Sequence, residues 1–238
     1  QLGADIDGST AGDETGTSVS LNNDGTIVAF GDYKHDGNRG RVRVYQYANS
    51  SWTQLGSDID GAQSSNNYFG KDVSLSSNGT ILAASAQNYS SMRGHVRIYQ
   101  YANNAWTQIG NDILGENSHD RSGWSISLSS DGTIVAIGST ENDDGGNLSG
   151  HVRVFQYANN TWTQLGSDIA GSAVEDESGW SVSLNGDGTI VAIGAYKHDS
   201  SRGHVRVYQY ANNTWTQLGS DIDGEAAGDQ SGYSVSMN

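Results

Sequence analysis

Apolar residues fall in short runs separated by clusters of Gly, Asn, Asp and Ser, and no stretch shows the 3.6-residue period of a capped amphipathic helix. The pattern is clearest near the C-terminus. Trp180 to Leu184 alternates and ends at Asn185-Gly186-Asp187-Gly188, and an Asp-Gly pair between such runs predicts a hairpin. Thr189 to Ala195 is nearly continuous in apolar character, which predicts a strand buried on both faces. After a polar loop from Tyr196 to Gly203, His204 to Tyr210 puts Val205 and Val207 on one face and Arg206, Tyr208 and Tyr210 on the other. Asn212-Asn213 predicts a tight turn, and Thr214 to Ile222 a fourth strand.

The same order of elements recurs along the chain. WTQLGSDI begins at Trp52, Trp162 and Trp215, and WTQIGNDI at Trp106, at successive intervals of 54, 56 and 53 residues. Variants of HVRVYQYAN begin at Arg41, His95, His151 and His204, and the first strand begins near Ser18, Asp72, Ser125 and Ser181. The units span 9–61, 62–115, 116–171 and 172–224, with 225–238 starting a further one. Repeated four-stranded units predict an all-β fold, a β-propeller whose blades bury their cores against one another. Gln217 to Asn238 repeats the phase of Gln1 to Asn22, so the segment is expected to be part of a larger propeller.

Composition narrows the function. Cysteine is absent from the 238 residues, which excludes a disulfide framework, a thiolate nucleophile and Cys-ligated metals. The formal charge of −15, from 27 acidic and 12 basic residues, disfavours nucleic-acid partners. No run approaches the roughly 18 apolar residues of a membrane-inserting helix. Acidity without cysteine is consistent with an extracellular or cell-surface setting.

Phe69-Gly70 with Val73, Gly123-Trp124-Ser125-Ile126, Gly179-Trp180-Ser181-Val182 and Gly194-Ala195-Tyr196 resemble the FG-GAP repeat, the blade of integrin-α-like propellers. Gly31-Asp32 and Gly138-Ser139 match less closely, and Ser85-Ala86 lacks the glycine. The resemblance implies a calcium loop between the first two strands of a blade. That place holds only the Asn22 to Gly25, Ser76 to Gly79, Ser129 to Gly132 and Asn185 to Gly188 turns, too poor in oxygen ligands for calcium. They are expected to be hairpins without an ion.

Other candidates recur with the repeat. Acidic residues crowd the blade-entry loops: Asp5, Asp7, Asp13 and Glu14; Asp168, Glu175, Asp176 and Glu177; Asp221, Asp223, Glu225 and Asp229. They are expected to be solvated charges, with Asp221, Asp223 and Asp229 the calcium candidates and no other cofactor expected. Arg43, Arg97, Arg153 and Arg206 are expected to stack on aromatic rings or pair with aspartates such as Asp168 and Asp221. His95, His151 and His204 share one phase, which separates them and argues against a shared metal. Trp124, Trp180 and Tyr233 occupy one first-strand position, with Lys71 and Thr17 in the other units; they would either pack between blades or stack on a sugar. Of six N-x-Ser/Thr sequons, Asn49, Asn159 and Asn212 fall in equivalent turns and are the glycosylation candidates.

No unique catalytic constellation stands out. The expected function is therefore a non-catalytic extracellular or cell-surface scaffold for adhesion or assembly. Its partners would be a protein or glycan on a surface or in a matrix, or further copies of the chain. They would be engaged through the loops Tyr33 to Asn38, Asn88 to Met92, Glu141 to Leu148 and Tyr196 to Ser201. The alternative is a lectin-like propeller using the aromatic residues.

Overall fold

A computed structural model describes residues 1–62 and 66–238. These residues form four antiparallel sheets, one per repeat, in a β-propeller arrangement. The first holds β1 (Val19–Leu21), β2 (Ile27–Asp32), β3 (Arg41–Ala48), β4 (Ser51–Gln54) and β5 (Ile59–Asp60). The second holds β6 (Val73–Leu75), β7 (Ile81–Ala86), β8 (His95–Ala102), β9 (Ala105–Gln108) and β10 (Ile113–Leu114). The third holds β11 (Ser122–Leu128), β12 (Ile134–Ser139), β13 (His151–Ala158), β14 (Thr161–Gln164) and β15 (Ile169–Ala170). The fourth holds β16 (Ser181–Leu184), β17 (Ile190–Ala195), β18 (His204–Ala211), β19 (Thr214–Gln217) and β20 (Ile222–Asp223). All six residues of β2, β7 and β12 are buried, as the continuous apolar runs predict.

Each fourth strand is broken, where the sequence predicts one piece. In the first blade β4 pairs with Tyr45 to Ala48 and β5 with Arg41 and Val42; the Leu55 amide still donates to the Val44 carbonyl at 2.7 Å, and Gly56 to Asp58 bulge out of the ladder. The bulge serves the next blade. Gly56, at φ +78°, lies against Trp106, whose Nε1–H donates to the Leu55 carbonyl at 2.8 Å. The same contact joins Trp52 to Leu2, Trp162 to Ile109 and Trp215 to Leu165. It explains why Trp and Leu/Ile-Gly recur together in the WTQLGSDI string.

Two further contacts recur at the inner edge. The Leu75, Leu128, Leu184 and Met237 amides donate to Ser20, Ser74, Ser127 and Ser183 of the preceding blade, at 2.9, 3.0, 3.0 and 3.0 Å. Paired glycines also meet across the boundary: a Cβ on Gly31, Gly138 or Gly194 would lie 1.8, 2.1 or 1.9 Å from the carbonyl oxygen of Gly70, Gly179 or Gly232. The two halves of the repeated glycine motif are thus facing surfaces of adjacent blades. Val19 and Leu21 are each 56% exposed, whereas Val73 and Leu75, covered by the preceding blade, are buried.

Three four-residue helical turns, α1 (His35–Asn38), α2 (Tyr89–Met92) and α3 (His198–Ser201), sit in loops expected to be irregular. Left-handed residues such as Asp36, Ser90 and Asp199 interrupt them, so they are tight turns in character. Among the described residues no helix is long and apolar enough to cross a membrane.

Candidate functional site

The segment entering each inner strand aims one side chain at a common depression. Tyr68, Arg121, Glu177 and Gln230 have positive φ, as do the glycines two residues later, Gly70, Gly123, Gly179 and Gly232. The next amide in each case, that of Lys71, Trp124, Trp180 or Tyr233, donates back to the carbonyl three residues earlier at 3.1 Å. These four residues, with Thr17, line an open depression of about 610 Å³ together with Ser18, Asp72, Ser125, Ser181 and Ser234.

The aromatic residues form one wall. Trp124 and Trp180 rings lie 4.6 Å apart, and Trp180 lies 4.3 Å from Tyr196 and 5.5 Å from Tyr233. Lys71 continues the line, with its ammonium 5.7 Å from the Trp124 ring and 4.8 Å from Tyr33. These aromatics pack across blades, one of the two roles foreseen for them, and they also line a shared surface. Tyr33 and Tyr196, the first residues of two loops expected to carry binding, extend the same wall. The floor is polar: Asp72 accepts hydrogen bonds from the Ser18 hydroxyl and the Ile126 amide, and enclosure by the inner strands pushes its carboxyl up to about 6.

A second set of polar groups lies where the third strand begins. His95, His151 and His204 are almost completely buried. Burial, reinforced by a neighbouring arginine, pushes each imidazole down, to about 4 for His95, so all three are neutral at pH 7. They do not meet one another, as their common phase predicts, but each has its own carboxylates. His95 faces Asp112 at 4.0 Å and His204 faces Asp221 at 3.6 Å. His151 faces Asp168, Asp144 and Glu116 at 3.7, 3.9 and 4.0 Å.

The strand arginines take both of the expected arrangements, pairing with aspartates or lying over aromatic rings. Arg206 Nε and Nη2 donate to Asp221 at 3.0 and 2.8 Å, and Arg97 makes the equivalent fork to Asp112 at 2.9 and 2.9 Å. Arg43 lies over Phe30 and bonds Asp32. Arg153 lies over Phe155, one of the two expected arrangements, donates to the Leu114 carbonyl at 2.7 Å and sits 3.6 Å from Glu116 in place of an aspartate. The cause is Glu116, whose counterparts in the other complete units are Ser9, Ala62 and Ser172.

The calcium candidates do not act as one set. Asp221 is committed to Arg206, Asp223 lies near Asp221 and His204, and Asp229 instead accepts the Ala226 amide at 2.7 Å to close its own loop. Asp176 and Asp120 make the same loop closure with Ala173 and Asn117. At the hairpins Asp24, Asp131 and Asp187 accept from the amides of Thr26, Thr133 and Thr189 at 2.9, 2.9 and 3.0 Å. Asn49, Asn159 and Asn212 are exposed and left-handed, at φ 51° each, in the turns between β3 and β4 and their counterparts.

Sequence reasoning missed the group around His151, because Glu116 and Asp144 come from different loops. The available signal was the break in the repeat: Glu at 116 and the distinctive Thr140 to Gly150 loop of the third unit.

No family model matches the chain, and no curated protein sequence matches it. Solved structures do. A proposed 6-phosphogluconolactonase from Bacteroides uniformis is similar over 87% of this chain and 54% of its own, at 15% identity and a TM-score of 0.59. TolB from Acinetobacter baumannii is similar over 90% and 44%, at 12% identity and a TM-score of 0.54. The hydrazine synthase of Kuenenia stuttgartiensis is similar over 84% and 53%, at 13% identity and a TM-score of 0.52. The chain spans about half the length of these structures, and the likeness is one of fold: an all-β propeller.

Proposed function

We propose that the protein is a non-catalytic recognition propeller of integrin-α-like type, acting at a cell surface or in an extracellular matrix, which takes a carbohydrate in the depression lined by Lys71, Trp124, Trp180 and Tyr233. The observation that carries this reading is the continuous aromatic wall above a floor of serine hydroxyls and Asp72. Sugar rings stack their C–H faces on indole and phenol rings, while their hydroxyls exchange hydrogen bonds with short polar side chains. The acidic surface favours neutral or cationic glycans over sulfated ones.

A glycan array probed with the full chain, and again with Trp124→Ala and Trp180→Ala, tests this. Binding to a defined glycan that both substitutions weaken at least about tenfold is expected. An array with no binding, or binding unchanged in both variants, would overturn it. A second reading, a scaffold for protein partners, draws support from Tyr33 and Tyr196, which join their loops to the same wall. Binding that survives the tryptophan changes but is lost on replacing residues 33–38 and 196–201 would favour it.

A further inference from the structure

The third blade departs from the others where its third strand begins. In blade 1 that position is Arg41, whose guanidinium lies among Asp32, Asp58 and Asp13 at 2.6, 3.1 and 3.7 Å. In blades 2 and 4 it is a histidine, and the nearby fourth-strand carboxylate is neutralised by Arg97 or Arg206. Blade 3 has neither device. His151 is fully buried, and neither ring nitrogen has a hydrogen-bond partner among the described residues. Its Nδ1 is turned toward three carboxylates, and one donor atom from each of the four residues lies within 4.8 Å of the others. Asp168, the counterpart of Asp112 and Asp221, lacks their arginine fork. Three negative groups thus converge where blade 1 places a built-in cation; Arg153 lies 3.6 Å from Glu116 and offsets part of that charge, and the remainder favours a further cation.

We propose that Glu116, Asp144, His151 and Asp168 bind a single divalent transition-metal ion of the zinc or manganese class. An imidazole nitrogen among carboxylates suits these ions, whereas calcium and magnesium take oxygen ligands. Bonds of about 2.0–2.2 Å set ligand atoms roughly 3.3–3.6 Å apart around a tetrahedral ion, so the His151–carboxylate distances of 3.7, 3.9 and 4.0 Å must shorten slightly, and donor atoms up to 4.8 Å apart must close by about 1 Å. The side chains of Glu116 and Asp144 are 37% and 54% exposed, which leaves room for that movement, with Glu116 turning from its 3.6 Å contact with Arg153. Asp168 is already oriented: its Oδ1 accepts from Gln164 Nε2 at 2.5 Å, and its Oδ2 faces His151. The ion would tie the segment linking blades 2 and 3 to the long loop between β12 and β13.

Calorimetric titration of the chelator-treated full chain with zinc, manganese and calcium chlorides tests the proposal. Zinc or manganese should bind one per chain and raise the melting temperature, with calcium at least about tenfold weaker. Glu116→Gln and Asp144→Asn should each weaken binding about tenfold or more, while Asp221→Asn, in the equivalent place of blade 4, should leave it within about twofold. Side-chain imidazole NMR of the unaltered protein reads the site without mutation: zinc should shift the His151 signals and leave His95 unmoved. Absence of one-per-chain binding, preference for calcium, unchanged affinity in the two folded variants, or shifts confined to other histidines would each overturn the assignment.

Discussion

The Ser18 hydroxyl donates a hydrogen bond to Asp72 at 2.7 Å across the boundary between the first two blades, and the opposite oxygen of that carboxylate accepts the Ile126 amide of the third at 2.7 Å. One side chain thus joins three consecutive blades. Serines hold the equivalent positions at Ser18, Ser125 and Ser181.

Enclosure raises the Asp72 carboxyl from an ordinary 3.8 to about 6. A raised folded-state value means that its stabilising effect is full below the unfolded value and is lost as pH rises through about 6. Melting temperature should therefore fall between pH 4 and 7 more steeply in the native chain than in Asp72→Asn. Carboxyl-detected NMR should place the Asp72 midpoint near 6; a midpoint near 4 would contradict the account.

Asp221 runs the opposite way. The Arg206 guanidinium beside it holds its carboxyl down at about 2. A depressed folded-state value gives stability that is present above about 3.8 and lost as pH falls through about 2. Asp221→Asn should cost about 1 kcal/mol at pH 7, the scale of a partly exposed ion pair. The difference should shrink progressively in denaturant melts from pH 4 to pH 2.

Gly31→Ala should be severely destabilising, by about 3 kcal/mol or more, since the added methyl would lie 1.8 Å from the Gly70 carbonyl oxygen. Gly219→Ala is the control. Its φ is +72° with nothing within 4 Å, so only backbone strain of about 1 kcal/mol is expected. Urea denaturation of the two variants separates the steric from the conformational cost.

Trp106→Phe keeps most of the ring packing and removes the Nε1–H donor to Leu55. It should cost at least about 1 kcal/mol, the net value of one hydrogen bond. The loss should show in equilibrium unfolding without altered secondary structure by circular dichroism.

The blades were legible because their signals are local: the Asp-Gly hairpins, the alternation in the third strand and the buried second strand all act within a few residues. The break in the fourth strand was not, because Gly56 bulges to receive Trp106 of another unit, a contact that no pattern within one unit contains. The depression was half legible. The shared phase of Trp124, Trp180 and Tyr233 was visible, but their convergence depends on how successive blades turn about the inner strands. The His151 group was hidden for a related reason: reading the repeat by its similarities passes over Glu116 and Asp144, which matter because they differ.

The tryptophan contact has a direction. In each instance the donor belongs to the later unit and the acceptor to the earlier one, from Trp52 on Leu2 to Trp215 on Leu165. Removing or duplicating one whole unit by recombination would therefore rejoin a donor to an acceptor of the same kind, whichever units became neighbours. Repeat number can drift in evolution without a new junction having to be invented. A residue such as Asp144, lying wholly within one unit, would travel with it, whereas a contact that does not recur at every junction, such as Asp72 joining three blades, would have to be rebuilt at the seam.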